Sequence, residues 1–168
     1  MLLSVIGSSS ERQPMRSFKL DGAVRHLRFH DLPGVGTPLL FIHGLGCASS
    51  CDYPPVAADP ALAGRRMLLV DLLGFGFSDR PQDFGYAVAD HAQTLAQLLD
   101  GLALPPIDLF GHSMGGAIAI VAAGLRPDRI RRLILSEPNL DAGGGFFSRP
   151  IAAQKESYFV ADGHAEAV

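Results

Sequence analysis

The sequence contains no tryptophan and only two cysteines, Cys47 and Cys51, among its 168 residues. Two cysteines cannot supply the disulfide framework of a small secreted domain, so a reducing, cytoplasmic setting is expected. The two stand four positions apart, but no second Cys or His pair has the spacing of a structural zinc site. The sequence therefore predicts neither a metal site nor a disulfide.

Long apolar runs and an excess of positive charge are also missing. The longest apolar runs are too short to span a bilayer, and no basic residue precedes the short apolar start of the chain. Neither a membrane span nor a signal peptide is expected, and residues 1–14 are interpreted as a flexible arm. The formal net charge of −3 gives no field that would attract nucleic acid or an anionic membrane.

Short apolar segments alternate with segments of helical periodicity. An N-terminal hairpin is predicted for residues 17–20 and 24–30, around the turn signal Asp21-Gly22. Buried strands are predicted at 38–42, 66–70, 107–110 and 130–135, with helices at 88–102 and 115–126 and a partly helical stretch at 49–63. This alternation predicts an α/β fold with a mostly parallel, twisted sheet and helices on both faces. His91, near the start of the amphipathic helix 88–102, is expected to be exposed.

The segment Gly111-His112-Ser113-Met114-Gly115 lies between a predicted strand and a predicted helix. A sharp turn there would expose the Ser113 hydroxyl above the strand ends. Side chains two positions before and after the serine would collide, which explains the glycines at 111 and 115. Ser113 itself is expected to have a strained backbone, at a cost of about 1–3 kcal/mol.

A second glycine loop, His43-Gly44-Leu45-Gly46, also follows an apolar strand. The carboxyl ends of parallel strands share one edge of the sheet, where ligands bind. The backbone N–H groups of Leu45 and Met114 could therefore converge on one oxyanion.

Together with the loop from Asp71 to Pro81 (DLLGFGFSDRP), these two segments resemble the α/β-hydrolase family in its motif order, over about residues 17–139. The resemblance implies that Ser113 is the nucleophile, that Leu45 and Met114 form the oxyanion hole, and that the middle loop is structural. Serine at the nucleophile position favours ester-type hydrolysis over the epoxide hydrolases and haloalkane dehalogenases of the family, which carry Asp there. No cofactor is implied.

The chain departs from the family pattern after about residue 140. Members continue through two further core strands and bring a catalytic His late in the chain, and no such His loop is recognisable here. His112 is expected to point away from the serine oxygen, His43 to be structural, and His26 and His30 to lie far from the carboxyl edge of the sheet. His164, the one histidine after Ser113, is a weak candidate base. Glu137, directly after the strand 130–135, is the candidate acid; a strand-end cap is its alternative interpretation, and Asp141 is a weaker candidate acid.

The function expected from these features is hydrolysis of a small-molecule ester or similar acyl bond through a Ser113 acyl-enzyme. Residues 15–140 are interpreted as a partial hydrolase core and residues 141–168 as the start of a cap or lid. Phe75, Phe77, Phe146 and Phe147 suggest an apolar acyl or alkyl group, although all four also fit a core. Without the last core strands, strand 130–135 would have an unpaired edge through which the chain could associate with itself.

Two alternatives stay open. Gly44-x-Gly46-x-x-Ser49 after a strand, with Asp71 ending the next strand, imitates a dinucleotide-binding fingerprint, but the third glycine is missing. A non-catalytic, α/β-hydrolase-like binding protein would explain the missing His but not the intact serine elbow.

Overall fold

The computed structural model describes residues 14–22, 24–141 and 148–163. Most of the expected N-terminal arm, Phe146, Phe147 and His164 lie outside these residues. The strands are β1 (Arg16–Lys19), β2 (His26–Leu32), β3 (Val35–Ile42), β4 (Arg65–Asp71), β5 (Ile107–His112) and β6 (Ile130–Ser136). The helices are α1 (Ser49–Asp52), α2 (Pro54–Ala57), α3 (Val88–Gly101), α4 (Met114–Leu125), α5 (Ser148–Ala152) and α6 (Glu156–Tyr158), with a 3₁₀ turn at Pro60–Leu62 and a π turn at Phe159–Gly163.

The six strands form one sheet in the order β1-β2-β4-β3-β5-β6. β3 pairs in parallel with β4 and β5, β5 pairs in parallel with β6, and β1 and β2 add an antiparallel edge. The predicted α/β class and the N-terminal hairpin are confirmed. Because β3 and β5 are adjacent and parallel, the loops that follow them lie at the same edge of the sheet.

Helices cover both faces of the sheet, because alternate residues of each central strand point to opposite sides. Leu40 and Ile42 of β3 belong to the larger core, with Leu95 and Leu98 of α3. The neighbouring Leu39 and Phe41 pack on the other face, against the segment that contains α1 and α2. Among the described helices, none has the length and apolar character needed to cross a bilayer.

Element boundaries differ from the sequence prediction mainly at β3, which begins at Val35 rather than residue 38. The Pro33-Gly34 break is therefore shorter than expected. Residues 49–63 form two four-residue helices and a 3₁₀ turn, as the prolines predicted. A regular phosphate-binding helix does not follow the Gly44 loop, which removes the structural basis of the dinucleotide-binding alternative.

The expectation that His91 is exposed is wrong. Its side chain is 1% exposed, and its ring lies 5.1 Å from the Phe84 ring and 6.2 Å from the Phe75 ring, centroid to centroid. Its Nδ1 atom has no hydrogen-bond partner within the described part of the chain. Burial, assisted by the nearby His43, lowers the pKa of His91 to about 4.

This buried imidazole should make the fold sensitive to mild acid. Below pH 6.5 the unfolded chain takes up a proton at position 91 and the folded chain does not, so stability falls until pH reaches about 4. Between pH 7 and pH 5 the expected loss from this residue is about 2 kcal/mol. Urea unfolding of His91→Phe at both pH values should show that much less loss than the wild type.

The control for this experiment is His30→Phe, at a partly exposed position of β2. It makes the same change of residue type at a position that is not buried, so it separates the effect of that change from the effect of the buried imidazole. Equal pH dependence in the wild type and His91→Phe would contradict the assignment.

The buried carboxylate of Asp108 links the starts of β4, β5 and β6, at the edge of the sheet opposite to the glycine loops. Asp108 of β5 is 2% exposed and accepts from Arg65 of β4 at 2.7 Å and twice from Arg131 of β6, at 2.8 and 2.6 Å. The pairing of β5 with β6 shifts register between Ile107 and Asp108, which leaves Arg131 as an extra residue that faces this carboxylate. The two guanidinium groups outweigh burial and lower the pKa of Asp108.

Strand β6 is the last strand of the sheet among the described residues. Its apolar residues Leu133, Ile134 and Leu135 are 37–40% exposed, on both faces of the strand. The unpaired edge expected from the sequence is therefore present in the described part of the chain.

Candidate active site

The turn between β5 and α4 places Ser113 at the carboxyl end of the sheet. Ser113 is the residue before α4 and has φ 53° and ψ −121°. This backbone conformation is rare for a residue with a side chain, and it confirms the expected strain. Ser113 is partly buried, with the first N–H groups of α4 directly beyond it.

Steric crowding explains both glycines of this turn. A Cβ atom at Gly111 would lie 2.5 Å from the carbonyl oxygen of Gly115. One at Gly115 would lie 2.5 Å from the carbonyl oxygen of Ile42, and closer still to that of His43. Real Cβ atoms do not approach backbone oxygens so closely, so only glycine lets α4 pack this tightly on β3 and β5.

The loop after β3 lies against the serine. A Cβ atom at Gly44 would lie 3.3 Å from Ser113 Cβ and 3.1 Å from His112 Nδ1. The N–H groups of Leu45 and Met114 have no acceptor among the described residues. The structure thus brings both predicted donor segments to Ser113 and leaves their N–H groups available.

Two buried side chains hold the surrounding loops. His43 Nδ1 donates to the Gly44 carbonyl at 2.8 Å, and Nε2 accepts from the Leu72 N–H at 3.1 Å. Both ring nitrogens are therefore occupied, and burial lowers the pKa of His43 and keeps it neutral. Asp71 accepts from the Ser50 and Phe77 N–H groups at 2.9 and 3.0 Å, which fixes the loop between Asp71 and Pro81.

Glu137 follows β6 and reaches the same edge of the sheet. Its Oε2 atom lies 3.6 Å from His112 Nε2, and its side chain is 87% exposed. His112 is the histidine that Glu137 approaches within the described chain. Asp141 is exposed.

The Ser113 hydroxyl has no hydrogen-bond partner in the part of the chain that the structure describes. The candidate base His164 lies outside that part. A group of His, Cys, Asp and Glu able to hold a metal is likewise not found among the described residues.

The four phenylalanines considered for substrate contact separate into different environments. Phe75 packs against the larger core, with its ring 5.2 Å from that of His43. Phe77 is 62% exposed. Phe75 is therefore a core residue, and Phe77 is the one described member of the set that is free to meet a ligand.

Sequence reasoning missed His91 and Asp108. A helical signal was available for His91, because it stands four and seven residues before Leu95 and Leu98 and so shares their buried face. For Asp108 the signal was one charge inside an apolar strand, IDLF.

Comparison with known proteins gives three informative similarities. The 2-hydroxymuconate semialdehyde hydrolase of Pseudomonas putida is 39% identical over 106 residues, which cover 63% of this chain and 37% of that protein. Haloalkane dehalogenase 2 of Mycobacterium tuberculosis is 34% identical over 123 residues, which cover 73% of this chain and 42% of that protein. The crystal structure of an alpha/beta hydrolase from Novosphingobium aromaticivorans superposes with a TM-score of 0.72 at 24% identity, over 83% of this chain and 49% of that one.

The chain thus spans less than half the length of these relatives. The family model for the alpha/beta hydrolase fold matches residues 37–162, which include both glycine loops, Ser113 and Glu137. Its match over most of the chain agrees with the strand order and the serine turn, and the chain belongs to the alpha/beta hydrolase fold family.

Proposed function

We propose that this chain belongs to a serine hydrolase that cleaves a carboxylic ester or similar acyl bond through an acyl-enzyme on Ser113. The observation that carries the proposal is the strained Ser113 backbone beside the Leu45 and Met114 N–H groups, which have no acceptor within the described ranges of the chain. A site of this form is suited to a carbonyl carbon that becomes tetrahedral while its oxygen becomes negative.

In the proposed reaction the Ser113 Oγ atom attacks the carbonyl carbon and gives its proton to a general base. The oxyanion accepts hydrogen bonds from the Leu45 and Met114 N–H groups, each worth about 3 kcal/mol in comparable sites. Collapse of the intermediate breaks the acyl–oxygen bond, and the alcohol leaves with the proton held by the base. Water then attacks the acyl-enzyme and gives a proton to the base, which returns it to Ser113 Oγ as the acyl–Oγ bond breaks and the acid is released.

The identity of the base and the acid is part of this proposal. His112 is directed to Glu137 and His43 has both nitrogens occupied, so neither fits the role of base. Glu137 is proposed as the acid because it stands at the end of β6, on the same sheet edge as Ser113. Its base would be a histidine outside the described residues.

A second candidate function is hydrolysis of a substrate like that of 2-hydroxymuconate semialdehyde hydrolase. It is favoured by the 39% identity with that relative. The similarity to a haloalkane dehalogenase at 34% shows that identity at this level spans different substrates. Assays with a simple ester and with a 2-hydroxymuconate semialdehyde would separate the two candidates, because each candidate predicts turnover of a different substrate.

Further parts of the proposal concern organisation and setting. Residues 141–168 are proposed as the start of a cap or lid, and the chain is proposed to associate through the β6 edge, which size-exclusion chromatography would test. A clean monomer would contradict association. A cytoplasmic setting is supported by Cys47 and Cys51, which are both free thiols.

The proposed nucleophile can be tested by incubating the chain with a fluorophosphonate probe for several hours and mapping the adduct by mass spectrometry. We expect a slow adduct confined to Ser113, because oxyanion donors assist that serine alone. Ser113→Ala should abolish it, whereas Ser148→Ala, outside the site, should leave it unchanged. Labelling spread evenly over several serines would contradict the proposal.

A further inference from the structure

The strained backbone of Ser113 is held by residues outside its own strand and helix. The Ser113 N–H donates to the Ser136 carbonyl at 3.0 Å, and the Asn139 N–H donates to the Ser113 carbonyl at 3.3 Å. Both backbone polar groups of the serine therefore contact residues 136–139, the last residue of β6 and the three that follow it, which we call the post-β6 segment. The Ser113 carbonyl also accepts from Gly116 and Ala117 in the first turn of α4.

The post-β6 segment also packs against the start of α4. A Cβ atom at Gly116 would lie 2.8 Å from Pro138 Cβ and 3.0 Å from Pro138 Cα. Glycine at 116 therefore lets the proline ring lie directly on the helix backbone. The segment turns sharply at Glu137, which has φ 47°.

These contacts explain how an unfavourable conformation persists. A residue with a positive φ and a side chain relaxes unless its surroundings over-determine its conformation. The strand β5 and the helix α4 alone would permit relaxation, because both are continuous with Ser113 and can rotate with it. The post-β6 segment comes from a different strand, and so it fixes Ser113 against the sheet.

We propose that Pro138 and Asn139 are positioning residues that maintain the strained Ser113 backbone and so direct its hydroxyl and the Met114 N–H to one point. This inference rests on the proposed role of Ser113 as nucleophile. Pro138 acts by packing on Gly116, and Asn139 acts through its backbone N–H. Neither side chain is assigned a contact with substrate.

The test uses two substitutions that act by different routes. Asn139→Pro removes the N–H that donates to Ser113. Gly116→Ala keeps every hydrogen-bond donor but displaces Pro138. It provides the test of the proposal if Asn139→Pro does not fold. The matched control is Leu140→Pro, which inserts the same ring one residue later, where the replaced N–H has no acceptor among the described residues.

Two readouts are measured on each variant of the 168-residue chain. Amide hydrogen exchange at Ser113 and Ala117, whose N–H groups donate to the Ser136 and Ser113 carbonyls, reports the clamping of the turn without any chemistry. The rate of fluorophosphonate adduct formation at Ser113 reports its consequence for the reaction. The exchange of the α3 amides, outside the serine turn and the post-β6 segment, identifies variants that have lost global stability.

In Asn139→Pro and Gly116→Ala we expect the exchange rate at the turn to rise by about tenfold and the rate of Ser113 labelling to fall by about tenfold. An effect of this size corresponds to the loss of one backbone hydrogen bond. Exchange in α3 and both readouts in Leu140→Pro should match the wild type. Unchanged exchange at the turn would overturn the clamping, and raised exchange with unchanged labelling would overturn the positioning role. A wild-type chain that is not labelled at Ser113 would instead overturn the proposed nucleophile, while hydrogen exchange would still decide on the clamping.

Discussion

Turnover of p-nitrophenyl acetate by the 168-residue chain should be slow, and replacing Ser113 by alanine should lower it by no more than about tenfold. The reason is that the Ser113 hydroxyl has no partner among the described residues that could accept its proton. When one member of a catalytic triad is absent, roughly 10⁴- to 10⁶-fold in kcat is lost, and the remaining acceleration comes from the oxyanion hole and from binding. If no base reaches Ser113, removing the serine lowers kcat only a little further.

The ratio of the wild-type rate to the Ser113→Ala rate is therefore a direct test for a base. A ratio of about 10⁴ or more would show that a histidine of this chain reaches Ser113. His164→Ala would then identify it, because the other five histidines lie within the described chain and none of them donates to or accepts from the serine hydroxyl. A small ratio together with a selective adduct at Ser113 would agree with an intact nucleophile and oxyanion hole.

The local parts of this site could be predicted from the sequence because their cause is local. A strand and a helix that meet within five residues require glycine at 111 and 115, and the clash distances at both positions confirm that steric reason. The Gly44 loop could be placed beside Ser113 because two parallel strands that end in glycine loops share one sheet edge.

Features that depend on which strands are neighbours could not be predicted. The hydrogen bonds from the Ser113 N–H to Ser136 and from the Asn139 N–H to Ser113 exist because β6 pairs with β5 in one particular register. The position of Arg131 on Asp108 depends on a register shift that no local preference encodes. His91 was misjudged because its polarity was given more weight than its position on the apolar face of α3.

The outcome for Glu137 is instructive in the same way. Its place after β6 was read from the order of motifs, and the structure places it at the same edge of the sheet as Ser113. Its exposed carboxylate, however, lies 3.6 Å from His112 Nε2, a neighbour that is beside it because β5 and β6 are aligned in register. Whether Glu137 orients a base is thus a question about residues beyond those described, and its assignment as the acid stays a prediction.

Replacing Gly115 by alanine should destabilise the fold by about 3 kcal/mol or more, the upper range for overpacking, because the added methyl group meets backbone rather than a movable side chain. Its Cβ atom would lie 2.5 Å from the carbonyl oxygen of Ile42 and closer to that of His43. Relief requires α4 to move away from β3. For a chain of this size the loss corresponds to a fall in Tm of roughly 6–12 °C.

The same substitution elsewhere in α4 provides a matched control. Gly124 is exposed, and a Cβ atom there would have no neighbour within 4 Å. Gly124→Ala should therefore raise the stability by roughly 0.5–1 kcal/mol, the helix propensity difference between glycine and alanine. The two variants have the same composition and the same helix, so opposite shifts in Tm isolate the steric contact.

Because Ile42 and His43 precede the Gly44 loop, the movement of α4 in Gly115→Ala also changes the distance between the Leu45 and Met114 N–H groups. Fluorophosphonate labelling of Ser113 should consequently fall in Gly115→Ala even at a temperature where the variant is fully folded, and it should be unchanged in Gly124→Ala. If Gly115→Ala were as stable and as reactive as the wild type, the close contact between α4 and β3 would be wrong. The convergence of the two N–H groups on Ser113 would then lose its structural basis.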